Sequence, residues 1–324
     1  MNNSGYTEQS EYTKYKIYTM RVLITGGAGY IGTELCIKLN QNPEVSEITV
    51  LDNLSQNNFN LFLHSQIKPG KVKFVKGELL DSRTLDKIMK DIDVVYHLAA
   101  ENSDSDKLHH LHEQVNNWGT AELVYAIEES NVKQLVYVSS TSVYGYSDNE
   151  FDTFSLTEPT TSLGSSKLRG EQHVERVMDK INTQIIRLGN VFGYGVSMQM
   201  KSILNRLMFD SHFVGRISIH GTGNQKRPFI SLDKVSCILN NLLGATLDSG
   251  IYNLVEHNKS IMDVVEIIQK QNPDMEMIFT NNHLELPQQM VKPDERTLQL
   301  YKGKEKTLEE EVKEFKEHFE ASSI

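Results

Sequence analysis

The chain has 324 residues, 39% hydrophobic and 23% charged, with a formal net charge of −10 at pH 7. That size allows one large core or two modest ones, and the acidic balance argues against a nucleic-acid surface. No stretch approaches the run of about eighteen apolar residues that crosses a bilayer, and Cys36 and Cys237 are isolated thiols that read as packing residues in a reducing cytoplasm rather than a disulfide or metal pair.

Met1 to Thr19 is polar and rich in Ser, Thr, Tyr and Asn, with no apolar stretch of the kind a leader carries. Residues 1–19 therefore read as a poorly ordered extension, with folding beginning at Met20. Arg21 to Thr25 form a β-branched strand, Gly26, Gly29 and Gly32 follow at three-residue spacing, and Thr33 to Asn40 read as an amphipathic helix. Gly26 permits a tight turn, Gly29 lets backbone approach a pyrophosphate, and Gly32 lets the helix pack on the strand with its N-terminus toward the anion. A second strand, Glu47 to Leu51, ends in Asp52, whose carboxylate would accept from the ribose hydroxyls of an adenosine and repel a 2′-phosphate. No arginine follows in Asn53 to Asn58, so the cofactor expected is NAD rather than NADP.

The alternation continues with a helix to about Gln66, strand Val72–Lys76, helix Ser82–Met89, strand Asp93–Leu98 and a long helix over about Lys107–Glu129. Strand Gln134–Ser139, helix Ser165–Lys180 and strand Thr183–Leu188 follow. This order predicts an α/β doubly wound parallel sheet of the Rossmann type, with ligands at the carboxyl ends of the strands, where Gly26, Asp52, Ala99, Ser140 and Asn190 fall. Residues 20–190 form the expected NAD-binding domain, and 191–324 a smaller mixed α/β substrate-binding region partly interleaved with it. In the latter, helices are predicted near Lys201–Met208, Leu232–Leu247 and Ile261–Gln271, strands near Arg216–Ile219, Gly250–Val255 and Met275–Thr280, and a last helix over Lys306–Ala321 behind a Thr307/Glu310 capping box. His109, His110 and His112 read as a solvated helix face, and no metal site is expected.

With these pieces in order the chain resembles an extended short-chain dehydrogenase/reductase, the NAD-dependent epimerase/dehydratase family that modifies nucleotide sugars. The resemblance rests on GGAGYIG at Gly26–Gly32, Asp52, VYHLAA at Val95–Ala100, Asn116 before Gly119-Thr120, and VSSTSVYG at Val138–Gly145. It continues in SKL at Ser166–Leu168, RLGNVFG at Arg187–Gly193, GTGNQKRPFISLDKV at Gly221–Val235, and KEKTLEEEVKEF near the end.

The resemblance implies that Gly26, Gly29, Tyr30 and Ile31 hold the pyrophosphate, and Asp52 with Asn53 the adenosine ribose. Glu78 and Leu79 would lie near adenine, Leu98, Ala99, Ala100 and Asn116 toward the nicotinamide, and Lys167 at the nicotinamide ribose. Ser140 would bond the reacting sugar hydroxyl, and Asn190, Arg227 and Lys292, with Arg296 as the alternative to Lys292, would meet the substrate. Leu163 is the departure: relatives carry a tyrosine there, whose general-base role is worth roughly 10²- to 10⁴-fold. Glu101, Tyr144 or an ordered water could replace it; the reaction could run as a slow turnover with tightly held NADH; or redox chemistry could be weak. Thr141 and Ser142 stand where sugar 4,6-dehydratases carry an Asp-Glu pair, and Ser142 where fucose-synthase types carry cysteine. The reading that results is NAD-dependent oxidation or epimerisation at C4 of a nucleotide-diphosphate sugar (hexose, deoxysugar or heptose, with GDP among the nucleotides) for capsule or lipopolysaccharide, by a cytoplasmic homodimer. The contrasting class is an NAD-binding sensor or scaffold that has lost its base.

Overall fold

The computed structural model describes residues 19–67, 70–103, 108–244 and 247–321. Strand β1 (Met20–Thr25) runs buried into Gly26, which sits at φ +70°; a Cβ there would fall 2.6 Å from the Ala99 amide nitrogen, so only glycine fits the turn. Helix α1 (Tyr30–Gln41) starts close behind, because a Cβ on Gly32 would lie 2.3 Å from the Gly26 carbonyl oxygen. Then come β2 (Val45–Asp52), the single turn α2 (Asn60–Leu63), β3 (Val72–Lys76), α3 (Ser82–Met89) and β4 (Val94–His97).

The long helix expected next is divided into α4 (His109–His112), a π-helical turn at Glu113–Gly119, and α5 (Thr120–Glu128). At the junction the Thr120 hydroxyl donates to the Asn116 carbonyl oxygen at 2.7 Å, a side-chain competitor within the helical ladder. Lys107, where that helix was expected to begin, and residues 1–18 of the expected extension lie outside the described residues.

The chain continues through β5 (Gln134–Ser140), a 3₁₀ turn at Thr141–Tyr144, β6 (Glu150–Phe151), α6 (Ser162–Glu175), β7 (Asn182–Leu188), β8 (Asn190–Phe192) and α7 (Ile203–Phe209). It ends with β9 (Arg216–His220), β10 (Lys226–Ser231), α8 (Leu232–Asn241), β11 (Gly250–Leu254), β12 (His257–Ser260), α9 (Ile261–Gln271), β13 (Glu276–Thr280), β14 (Met290–Val291), α10 (Glu295–Leu298) and α11 (Leu308–Ala321).

Seven strands form one sheet in the order β11-β7-β5-β4-β1-β2-β3, every pairing parallel. The strand order reverses between β1 and β4, whose carboxyl ends pair Thr25 with His97, and a crevice opens at such a switch point. One face is sealed by α1 and α8 through Leu35, Leu39, Val235 and Leu239, the other by α3, α5 and α6 through Leu85, Leu123, Ile127 and Val174. Cys36 is buried in the first of these cores, where burial pushes its thiol up to about 12, as for a packing residue. The C-terminal part of the chain thus supplies both an edge strand, β11, and a covering helix, α8, to the large sheet. Its remainder is smaller: a β12-β10-β8 sheet, the pairs β13-β9 and β14-β6, and helices α7, α9 and α11 around Phe192, Leu204, Phe229, Val264 and Phe315. Among the described residues no helix is long and apolar enough to cross a membrane.

Candidate active site

A cavity of about 1560 Å³ opens at the carboxyl ends of β1, β2 and β4, larger than a usual single-ligand pocket. Gly26, Gly29, Tyr30 and Ile31 line one side, Asp52, Asn53, Glu78 and Leu79 one end, and Leu98, Ala99, Ala100 and Glu101 the other. Asp52 accepts from the Ala28 amide at 3.0 Å and the Leu54 amide at 2.8 Å, which ties the carboxylate to the glycine turn and holds Leu54 at φ 60°. Each of its oxygens keeps a further lone pair for a hydroxyl donor. Asn53 donates to Glu78 at 3.1 Å, joining the ends of β2 and β3. The Tyr30 phenol turns away from the glycine turn: it donates to the Gly193 carbonyl oxygen and accepts from Asn205 at 3.1 Å, and burial raises its pKa. Toward an anion, therefore, Tyr30 offers its backbone.

Helix α6 is drawn onto the end of β5 by two glycines. A Cβ on Gly170 would lie 2.3 Å from the Tyr137 hydroxyl, and one on Gly164 2.4 Å from the Ser142 carbonyl oxygen. This contact sets the first turn of α6, with Leu163 half-buried in it, against the turn that carries Ser140. Lys167, one turn on and so on the same face as Leu163, is buried; its ammonium donates to the Val138 carbonyl oxygen at 2.7 Å and stands 5.0 Å from the Tyr137 ring centre. Burial pulls its pKa down to about 8, with Glu171 pulling the other way. Val138 lines the cavity, so the ammonium sits one residue behind its wall. The Ser140 hydroxyl oxygen accepts from the Ser142 amide at 3.2 Å and the Ser142 hydroxyl at 2.8 Å, which leaves its own proton to donate.

Of the candidate bases, Glu101 lines the cavity. Its carboxylate accepts from the Ser103 amide at 2.8 Å and lies 4.0 Å from the Lys201 ammonium. The Asn116 side chain grips both the Glu101 amide and carbonyl at 2.8 Å, so Asn116 lies behind the wall, not on it. Tyr144 does not reach the cavity. Its phenol donates to Asn253 at 2.7 Å, stacks on Phe151 and lies under the Arg187 guanidinium, and burial raises its pKa, so it is a core residue rather than a base. His109, His110 and His112 do not converge on a common point: His112 is buried and donates to the Ser103 carbonyl at 3.0 Å, while His109 bonds Ser162 at 3.3 Å.

None of Asn190, Arg227, Lys292 and Arg296 lines the cavity, and all but Lys292 are engaged elsewhere. Asn190 donates to the Pro228 carbonyl at 3.0 Å, joining β8 to β10. Arg227 donates to the Lys226 and Pro287 carbonyls, both at 2.8 Å, and stacks over Tyr146. Lys292 is exposed beyond β14, and Arg296 forks onto Asp294 over the Tyr252 ring. The cations on the cavity wall are Lys201 and Arg206, beside Tyr194, Val196, Met198 and Met200. Sequence reasoning missed them, although they are the only Lys or Arg between Arg187 and Arg216.

The cavity geometry accords with a sequence match: residues 22–254 match the family described as NAD dependent epimerase/dehydratase. The chain belongs to that family. It is an NAD-dependent enzyme, and its class of chemistry is the modification of nucleotide sugars. Over 277 residues it is 30% identical to the dTDP-D-glucose 4,6-dehydratase of Bos taurus, covering 80% of this chain and 76% of that one. Over 189 residues it is 32% identical to the UDP-glucose 4-epimerase of Bacillus subtilis (strain 168), covering 54% and 53%. Among solved structures, the UDP-glucuronic acid 4-epimerase from Bacillus cereus, in complex with UDP-glucuronic acid and NAD, gives a TM-score of 0.80 at 23% identity over 94% of this chain and 100% of its own, a likeness of fold.

The glycine cradle of this epimerase/dehydratase suits a dinucleotide on its own geometry. A Cβ on Gly26 would strike the Ala99 backbone and one on Gly32 the Gly26 carbonyl, so these glycines let the turn and the start of α1 close up where an anion would meet the helix N-terminus.

Proposed function

We propose that this enzyme oxidises C4 of a nucleotide-diphosphate sugar and either returns the epimer or keeps the ketone. Asp52 and Glu78 hold the adenosine end of NAD, the Gly26–Gly32 turn its pyrophosphate, and Leu98 to Ala100 with Lys167 the nicotinamide riboside. NAD, when held there, would supply a reversible hydride acceptor for the sugar carbon. Ser140 orients the reacting hydroxyl, and Glu101, the titratable side chain among the candidate bases that lines the cavity, takes its proton. Lys201 and Arg206 meet the diphosphate, for which a guanidinium fork is well suited.

The observation that carries this reading is the chemistry next to Ser140. Elimination of water needs a separate acid and base, but the Thr141 hydroxyl donates to Gln289 at 3.2 Å and the Ser142 hydroxyl to Ser140, and neither titrates. The site is therefore poorer than a dehydratase needs and sufficient for oxidation at one carbinol. We place the reaction in the synthesis of a surface polysaccharide, on a hexose, deoxysugar or heptose carried by GDP or another nucleotide. The enzyme would be a cytoplasmic homodimer, and the exposed Trp118 and Tyr125 beside and on α5 offer a face for a second copy.

The test is absorbance near 340 nm of purified enzyme with NAD and GDP-, UDP-, dTDP- and CDP-sugars, with product analysis by NMR. A C4 epimer or 4-keto sugar supports the reading, and a 4-keto-6-deoxy product overturns it. One observation favours a second reading. Leu163 removes the usual base, and a protein that binds NAD and a nucleotide sugar without turnover would give a thermal shift with both ligands and no change at 340 nm.

A further inference from the structure

Where α11 meets the turn between β11 and β12, far in sequence from the glycine turn, Glu256, His257 and Glu311 place one donor atom each within 4.8 Å of one another. Among the described residues this is the one such trio. The Glu256 and Glu311 side chains are each 9% exposed and that of His257 19%. Glu256 Oε2, His257 Nε2 and Glu311 Oε2 are all buried without a hydrogen-bond partner. Three orphaned polar atoms facing one another are costly unless something satisfies them together.

Two of the donor spacings come close to those of a coordination sphere. His257 Nε2 lies 3.7 Å from Glu311 Oε2 and 3.5 Å from Glu256 Oε1, the oxygen that also accepts from Lys234, while Glu256 Oε2 beside it has no partner. A tetrahedral ion with ligands at about 2.1 Å has donor-to-donor edges of roughly 3.4 Å. The charge agrees as well. The Lys234 ammonium bonds Glu256 Oε1 and Glu305 Oε2, so with Glu311 beside His257 the cluster holds one ammonium and three carboxylates, one of them the exposed Glu305. With a neutral imidazole the sum is +1 − 3 = −2, which a divalent cation cancels. The neighbouring cations are already paired, Lys306 with Glu314 and Lys38 with Asp233.

We propose that Glu256, His257 and Glu311 form a structural divalent-cation site, which its one imidazole and two carboxylates suit to zinc, and that the ion pins α11 to β12. This departs from the expectation of no metal. The ion would lie outside the NAD cavity, so the readout does not depend on turnover.

The test is zinc content of the full chain by elemental analysis after incubation with zinc chloride and gel filtration, with melting temperature followed in parallel. One equivalent per chain and a raised melting temperature are expected, and Glu311→Gln and His257→Ala should each lose that equivalent and the shift. Because His257→Ala could fail to fold, the near-isosteric Glu311→Gln keeps the experiment decisive. Wild type holding no more zinc than Glu311→Gln, or zinc that is lost on His109→Ala/His110→Ala instead, would overturn the proposal; in the first case a protonated His257 shared by two carboxylates accounts for the cluster.

Discussion

The Lys167 ammonium donates to the Val138 carbonyl oxygen at 2.7 Å, and one helical turn before it, on the same face of α6, stands Leu163. A phenol at position 163 would sit beside that ammonium, which would favour its ionised form. Leu163→Tyr should therefore raise turnover on the sugar nucleotide, within the roughly 10²- to 10⁴-fold that a general base supplies. Steady-state rates at 340 nm measure this. If the variant is slower than wild type while Glu101→Gln abolishes native activity, the site has been rebuilt around Glu101 and leucine shapes the sugar pocket.

Lys167 also predicts a pH dependence of stability. Its folded pKa near 8 lies below the ordinary 10.5, so between those values the unfolded chain binds the extra proton. Stability should thus rise with pH across that window, by roughly 3 kcal/mol at most, and the rise should vanish in Lys167→Met. Urea unfolding of both proteins at the two ends of the window gives the difference; equal slopes would remove Lys167 as its source.

Asp52 joins the glycine turn to the Leu54 turn and keeps free lone pairs toward the cavity. Asp52→Ala should weaken NAD binding by about 1 to 3 kcal/mol and narrow the preference over NADP. Calorimetry with both cofactors checks it, and wild-type NADP binding as tight as NAD would contradict the role assigned.

Lys201 and Arg206 line the cavity, whereas Arg227 is spent on two carbonyls and a ring. Lys201→Ala and Arg206→Ala should each raise KM for the sugar nucleotide by about 1.5 to 3 kcal/mol equivalent with NAD affinity unchanged. Arg227→Ala should instead lower the melting temperature and leave KM nearly as it was. The reverse pattern in the kinetics would return the diphosphate to Arg227.

Local chemistry made part of this protein legible in the chain. The spacing of Gly26, Gly29 and Gly32, the strand-helix alternation and an acid at the end of the second strand are properties of contiguous residues. Backbone sterics and side-chain period act on them wherever they occur. The long helix expected over about Lys107–Glu129 is helical from His109 to Glu128, but its period did not reveal the π turn at Glu113–Gly119, next to which the Thr120 hydroxyl bonds the Asn116 carbonyl.

The identity of the groups facing the cavity was decided only in three dimensions. Arg227 and Tyr144 have the residue types a substrate clamp or a base would use, but packing delivers the first to the carbonyls of Lys226 and the distant Pro287 and the second to Asn253. Lys201 and Arg206 reach the wall because the segment before α7 folds back over α1, held by Tyr30 donating to Gly193. Glu256, His257 and Glu311 meet only because α11 returns to the β11–β12 turn. No periodicity within one segment encodes such a meeting, since it depends on how separate apolar faces close on each other, and the polar groups go where that closure carries them.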